Sequence, residues 1–178
     1  MNRLATIVLA VAVLTAPLAL AAQTLDLPPR KAGLWEITTV FEKPKGMPQL
    51  AAQMCLDAAT DREMMDYALR LTGGSCKSLT GKRQGQTYVI DADCKFGPTT
   101  NKTKTVITGD FSSAYTVRTE GTMEGGPGSE KGHQPTLMTQ TAKWKGADCP
   151  GMKPGDISMF GGIKLNVKQL KSLPLQLR

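Results

Sequence analysis

The chain reads as a mainly β, α+β domain. The expected architecture is a curved antiparallel meander of about five to seven strands with one packed helix. Three observations lead there. Gln86–Met123 holds three consecutive strand-like runs separated by Gly, Pro, Asn, Asp and Ser. In the first of them Tyr88, Ile90, Ala92, Cys94 and Phe96 share one face, and Thr87, Val89, Asp91, Asp93 and Lys95 the other, the period of a half-buried strand. Only one segment, Asp57–Leu71, carries a strong helical stripe.

Residues 1–21 read as an export leader. Arg3 supplies the positive start, Ile7–Leu14 the apolar stretch, and Ala19-Leu20-Ala21 a small-x-small cleavage site. Cleavage near Ala21 leaves 22–178 as a single domain, and the expected location is the periplasm. Pro17 breaks the apolar run, and no Cys follows the cleavage site to accept a lipid. Gln23–Lys31 is a Pro-rich lead-in that Pro28-Pro29 keeps extended.

Gly33 opens the first strand, Leu34–Glu42, with Trp35, Ile37, Thr39 and Phe41 on its apolar face. Lys43–Pro48 is a loop, and Gln53–Leu56 a short strand. The helix over 57–71 starts at Asp57 or Thr60 and ends at Gly73-Gly74. Its stripe is Met64, Tyr67, Ala68 and Leu71; Arg62, Glu63, Asp66 and Arg70 are expected to stay wet. Ser75–Arg83 is the next strand, and Gln84-Gly85 turns it into the central run. Lys102–Thr108, the turn Gly109–Ser113, and Ala114–Met123 follow; short connections between successive strands imply an antiparallel meander. Glu124–Pro135 reads as a loop. Leu137–Lys145 is the last clear strand, with Met138, Ala142 and Trp144 inward. Lys153–Asp156 fits a type II turn. Ile163–Arg178 suits either a short helix or a strand until Pro174 stops it.

Cys55, Cys76, Cys94 and Cys149 all follow the leader, and export favours their oxidation. Four cysteines allow three pairings. The favoured one is Cys55–Cys76, clipping both ends of the helix, with Cys94–Cys149 tying the central strand to the end of the sheet. A zinc site is disfavoured, because the chain has no C-x-x-C and its single histidine, His133, lies in the Gly-rich loop.

Most familiar chemistries find no footing. His133 sits where no fixed geometry holds a catalytic base. Asp91 and Asp93 lie about 6.5–7 Å apart on one strand face, but that face opposes the apolar one and includes Lys95. The nine methionines, one lost with the leader, are dispersed, which suits core filling better than copper. The net charge of +7 is scattered among few aromatics, so a nucleic-acid partner is not expected. No cofactor and no enzymatic activity are expected.

A positive site remains. A curved sheet under a helix can enclose an apolar groove, and Trp35, Tyr88, Tyr115 and Trp144 are its candidate ligand-binding residues. Its occupant would be an apolar or amphipathic small molecule or an envelope component. The plainer, preferred reading is that the same four residues fill the core. The alternative function is a structural or interaction module acting through the basic surface or the C-terminal tail.

Several short motifs occur together in order: GLWEITT at Gly33–Thr39, QMCLD at Gln53–Asp57, YVIDADCK at Tyr88–Lys95, TGDFSSAYTV at Thr108–Val117, AKWKGADCP at Ala142–Pro150, and MKPGD at Met152–Asp156. In this the chain resembles the bacterial exported family known as domain of unknown function 3617. The resemblance implies a small envelope protein with cysteines at these places. It carries over no activity, cofactor or catalytic residue.

Overall fold

A computed structural model describes residues 27–125, 132–159 and 162–172. The expected leader and half of the Gly-rich loop, residues 126–131, lie outside them, as does Pro174. Among the described residues the chain forms β1 (Gly33–Lys43), β2 (Leu50–Leu56), α1 (Ala58–Gly73), β3 (Cys76–Gln84) and β4 (Thr87–Phe96). It continues through β5 (Thr99–Gly109), β6 (Ala114–Glu124), β7 (Gln134–Gly146), β8 (Asp156–Met159), β9 (Lys164–Asn166) and α2 (Val167–Ser172). All nine strands join one antiparallel sheet in the order β3-β4-β5-β6-β7-β1-β2-β8-β9.

The strand from Gly33 and the run of hairpins β3 to β7 match the expected mainly β architecture. The sheet is wider than expected because β8 and β9 extend it beyond β2. The ambiguous tail is both things in turn: β9 first, then α2. Val167, where they meet, is fully buried, so this part of the tail belongs to the core. The expected turn at Lys153–Asp156 forms, with Gly155 at φ +90° and the Asp156 N–H donating to the Lys153 carbonyl at 2.9 Å.

Helix α1 begins as its sequence dictates. Asp57 is the N-cap; its Oδ1 accepts from the Thr60 N–H at 2.7 Å while the Asp57 N–H donates to Thr60 Oγ1 at 3.0 Å. Two of the otherwise unpaired groups at the helix start are thereby satisfied. Its buried side is rotated from the expected stripe. Thr60, Asp61 and Met64 are buried, Tyr67 packs against the core, and Ala68 is exposed.

The cysteine pairing differs from the favoured one. The bonds are Cys55–Cys149 and Cys76–Cys94. The reason is topological. Helix α1 carries the chain from β2 across to β3 at the far edge. Cys55 and Cys76 therefore stand six strand spacings apart, roughly 29 Å along a flat sheet at about 4.8 Å each. No disulfide spans that. Cys76 instead faces Cys94 on the adjoining strand, where a bulge between Cys76 and Ser78 brings the two into register. Cys149 follows β7, and Leu34 of β1 pairs with both Gly146 and Cys55, so the second bond closes over β1.

One face of the sheet holds the core. Trp35, Ile37, Met54, Tyr88, Ile107, Tyr115 and Ala142 are buried there with Leu56, Met64 and Val167. The opposite face is wet. Asp91 pairs in register with Lys104, and Lys104 with Glu120.

Candidate functional site

Aromatic side chains concentrate at one end of the inner face. Trp35 and Tyr115 have ring centroids 5.4 Å apart, Tyr115 stacks on Phe111 at 5.1 Å, and Phe111 meets Tyr88 edge-on at 5.9 Å. The result is a continuous row, Trp35–Tyr115–Phe111–Tyr88, with offset and edge geometries that aromatic quadrupoles favour.

Phe111 joins this row from the β5–β6 turn. Its φ of +59° is unusual for a bulky residue. Asp110 holds the turn: its carboxylate accepts from the N–H groups of Ser112, Ser113 and Ala114 at 2.8, 2.6 and 3.3 Å, and from Ser113 Oγ at 2.7 Å. These donors, Ser113 foremost, hold the Asp110 pKa well below the ordinary carboxylate range. Gly109 precedes it at φ +135°, where a side chain would collide with Tyr115 and the Ala114 carbonyl.

The lead-in closes over this end of the sheet. The Lys31 N–H donates to the Phe111 carbonyl at 2.9 Å, and Trp35 Nε1 donates to the Lys31 carbonyl at 2.8 Å. Arg30 is clamped to α1: its N–H donates to Asp61 Oδ2 at 3.0 Å and its Nε to Oδ1 at 2.6 Å. Arg30 Nη1 also donates to the Tyr115 hydroxyl at 3.3 Å. Burial works against the Arg30 charge, but the oxygens of Tyr115 and Asp61 outweigh it and raise its pKa above the ordinary value.

Between lead-in, helix and sheet lies a cavity of about 190 Å³. Leu27 and Pro28 wall it from the lead-in, and Asp61 and Met65 from α1. Ile107, Phe111, Tyr115, Val117 and Gln140 form the sheet side, with Arg30 at its polar end. It is smaller than the roughly 300–1,000 Å³ of drug-sized sites. It compares with an engineered apolar cavity of about 150 Å³ that admits benzene. A second cleft of about 310 Å³ shares Pro28 and Phe111 with it and adds Arg83, Tyr88 and Asp110.

The four sequence-derived candidates fall at different places. Tyr115 lines the cavity. Tyr88 lies on the far side of Phe111, lines the second cleft, and has the Arg83 guanidinium 5.5 Å from its ring centroid. Trp35 is fully buried behind Tyr115 and lines neither. Trp144 pairs in register with Trp35, donates from Nε1 to the Ala32 carbonyl at 2.9 Å, and carries the Lys31 ammonium 3.6 Å over its ring. Arg30, Asp61, Met65 and Phe111 are not among the sequence-derived site residues. A short carboxylate at the helix start suggests only favourable charge at a terminus, and a Phe within a Gly/Asp/Ser turn resembles a loop residue. The other acids examined lie elsewhere: Asp91 and Asp93 are on the outer face, where Lys102 stands 3.9 Å from Asp93. His133 is exposed, 3.5 Å from Glu124. Among the described residues no group of His, Cys, Asp or Glu is arranged to hold a metal.

The fold thus defines an open antiparallel sheet with a small apolar cavity beneath one helix. The chain matches, over residues 30–149, the family described as "Protein of unknown function (DUF3617)", and it belongs to that family. The match runs from Arg30 to Cys149 and so takes in the cavity's ion pair and both disulfides. No curated protein and no solved structure matches the chain. The two disulfides suggest an oxidising environment, and no helix among the described residues is long and apolar enough to cross a membrane.

Proposed function

We propose that this is an exported, non-enzymatic protein of the bacterial periplasm or envelope that binds an apolar or amphipathic ligand between sheet and helix. The observation that carries the reading is the half-open hollow lined by Met65, Ile107, Phe111, Tyr115 and Val117. An apolar-lined hollow with a few convergent polar groups has the make-up of a binding site, here on a small scale. The leader-like pattern of Arg3, Ile7–Leu14 and Ala19–Ala21 and the two disulfides support the compartment.

The ligand is small, or inserts only its end. The cavity volume suits one ring or a short acyl segment. Titration of the delipidated protein with a hydrophobic fluorescent dye tests the reading, with Met65→Trp as the variant that fills the space from the helix side. Non-saturable dye uptake by the wild-type protein would count against it.

A further inference from the structure

The cavity's polar end holds more chemistry than an apolar ligand needs, and what it selects rests on the ligand reading above. Arg30 and Asp61 both line the cavity, with side chains only 12% and 6% exposed. A guanidinium carries five N–H donors. Nε is taken by Asp61 and Nη1 reaches Tyr115. Nη2 has no hydrogen-bond partner among the described residues. The Tyr115 hydroxyl accepts from Arg30, which leaves its own proton available to donate. The free capacity of Arg30 and Tyr115 is therefore donor capacity.

The charge, by contrast, is already spent. Asp61 lies 2.6 Å from Nε and takes the Arg30 backbone N–H as well. A ligand carboxylate brought to the guanidinium would meet Asp61 at short range in a poorly solvated site, and like charges there repel. An alkylammonium would find a lone pair still open on each Asp61 oxygen, but the Arg30 guanidinium, with Nε 2.6 Å from Oδ1, would repel it at short range. A bare alkane would displace water from N–H groups and leave them unsatisfied.

We propose that the pocket selects an apolar chain bearing a neutral carbonyl acceptor, such as an ester or amide, which takes hydrogen bonds from Arg30 and Tyr115. Asp61 sets this preference by neutralising Arg30 without using all of its donors.

Competition against the bound dye tests this in the full chain with four probes: methyl hexanoate, hexanoate, hexylamine and heptane. The wild-type protein should favour methyl hexanoate over each of the others by about tenfold or more, the scale of a hydrogen bond to a charged donor. Desolvation alone disfavours hexanoate in any apolar pocket, so the ester–alkane comparison and two variants carry the decision. Asp61→Asn frees the Arg30 charge, and hexanoate should overtake the ester. Arg30→Met/Asp61→Leu replaces the pair as a unit, which folded proteins tolerate, and heptane should then overtake the ester. The proposal is overturned if heptane, hexanoate or hexylamine equals the ester on the wild-type protein, or if neither variant changes the order. Absence of saturable dye binding would instead remove the ligand reading itself.

Discussion

Among the described residues two arginine–carboxylate pairs join separate parts of the chain, one on each face of the sheet. On the outer face Arg118 of β6 meets Glu42 of β1 at 3.2 Å, with side chains 49% and 38% exposed. On the inner face Arg30 meets Asp61 of α1 at 2.6 Å, nearly out of contact with solvent. The chemistry is the same and the surroundings differ. Water solvates and screens the outer pair, so its formation changes little. The inner pair has exchanged its hydration for each other, a backbone N–H and a tyrosine hydroxyl, and losing either partner strands a buried charge. The contrast shows which charges organise this part of the molecule: the buried pair pins lead-in to helix and so builds the cavity wall.

Four changes would break or sharpen that contrast. Asp61→Ala should have the largest effect, about 3–5 kcal/mol of lost stability in denaturant unfolding, because it leaves Arg30 buried without its partner. A loss below about 1 kcal/mol would mean that Arg30 finds water readily and that the pair is no different from its surface counterpart.

Acid comes second. The Asp57 pKa is lowered, chiefly by the Thr60 N–H and then its hydroxyl. At Asp156 burial opposes the charge, but Asn166 Nδ2 and the Lys153 N–H outweigh it, so its pKa is lowered as well. Both folded values lie below the ordinary 3.8. Each carboxylate therefore contributes stability that is complete above the unfolded value and is lost as the pH falls through the folded one. Thermal stability should decline below about pH 4, and Asp57→Ala should lower stability by about 1 kcal/mol at neutral pH, the usual cost of an N-cap. A variant whose stability equals the wild type at neutral pH would remove the capping box from the account. Glu42→Ala should have the smallest effect, within about 0–1 kcal/mol, and less at high salt.

Legibility in the sequence followed the physics of each feature. Strand alternation is local, so β1 and β4–β7 were readable from period two. Asp57 and Gly73-Gly74 bracketed α1 for the same reason. The disulfides were misread because pairing depends on topology. One bond is nevertheless within reach: Gln84-Gly85 reads as a turn, and Cys76 and Cys94, 18 residues apart, straddle it symmetrically. A hairpin places such residues face to face. The other bond, with a sequence separation of 94, needed the knowledge that β7 and β2 flank β1. The candidate site was half visible. Tyr115 was identified by its strand face, whereas Arg30 and Asp61 become partners only when the lead-in crosses α1. Phe111 turns inward because Asp110 fixes its turn, a consequence of several hydrogen bonds that composition does not disclose.

The central claim, that the space under α1 holds a ligand, is tested most directly by one titration. Delipidated wild-type protein and Met65→Trp are compared for binding of the same hydrophobic dye, with unfolding curves confirming that both are folded. The account predicts saturable binding to the wild type and affinity at least about tenfold weaker in the variant, as expected when the site is filled by a side chain. Equal affinity for the two proteins would place the dye elsewhere and contradict it.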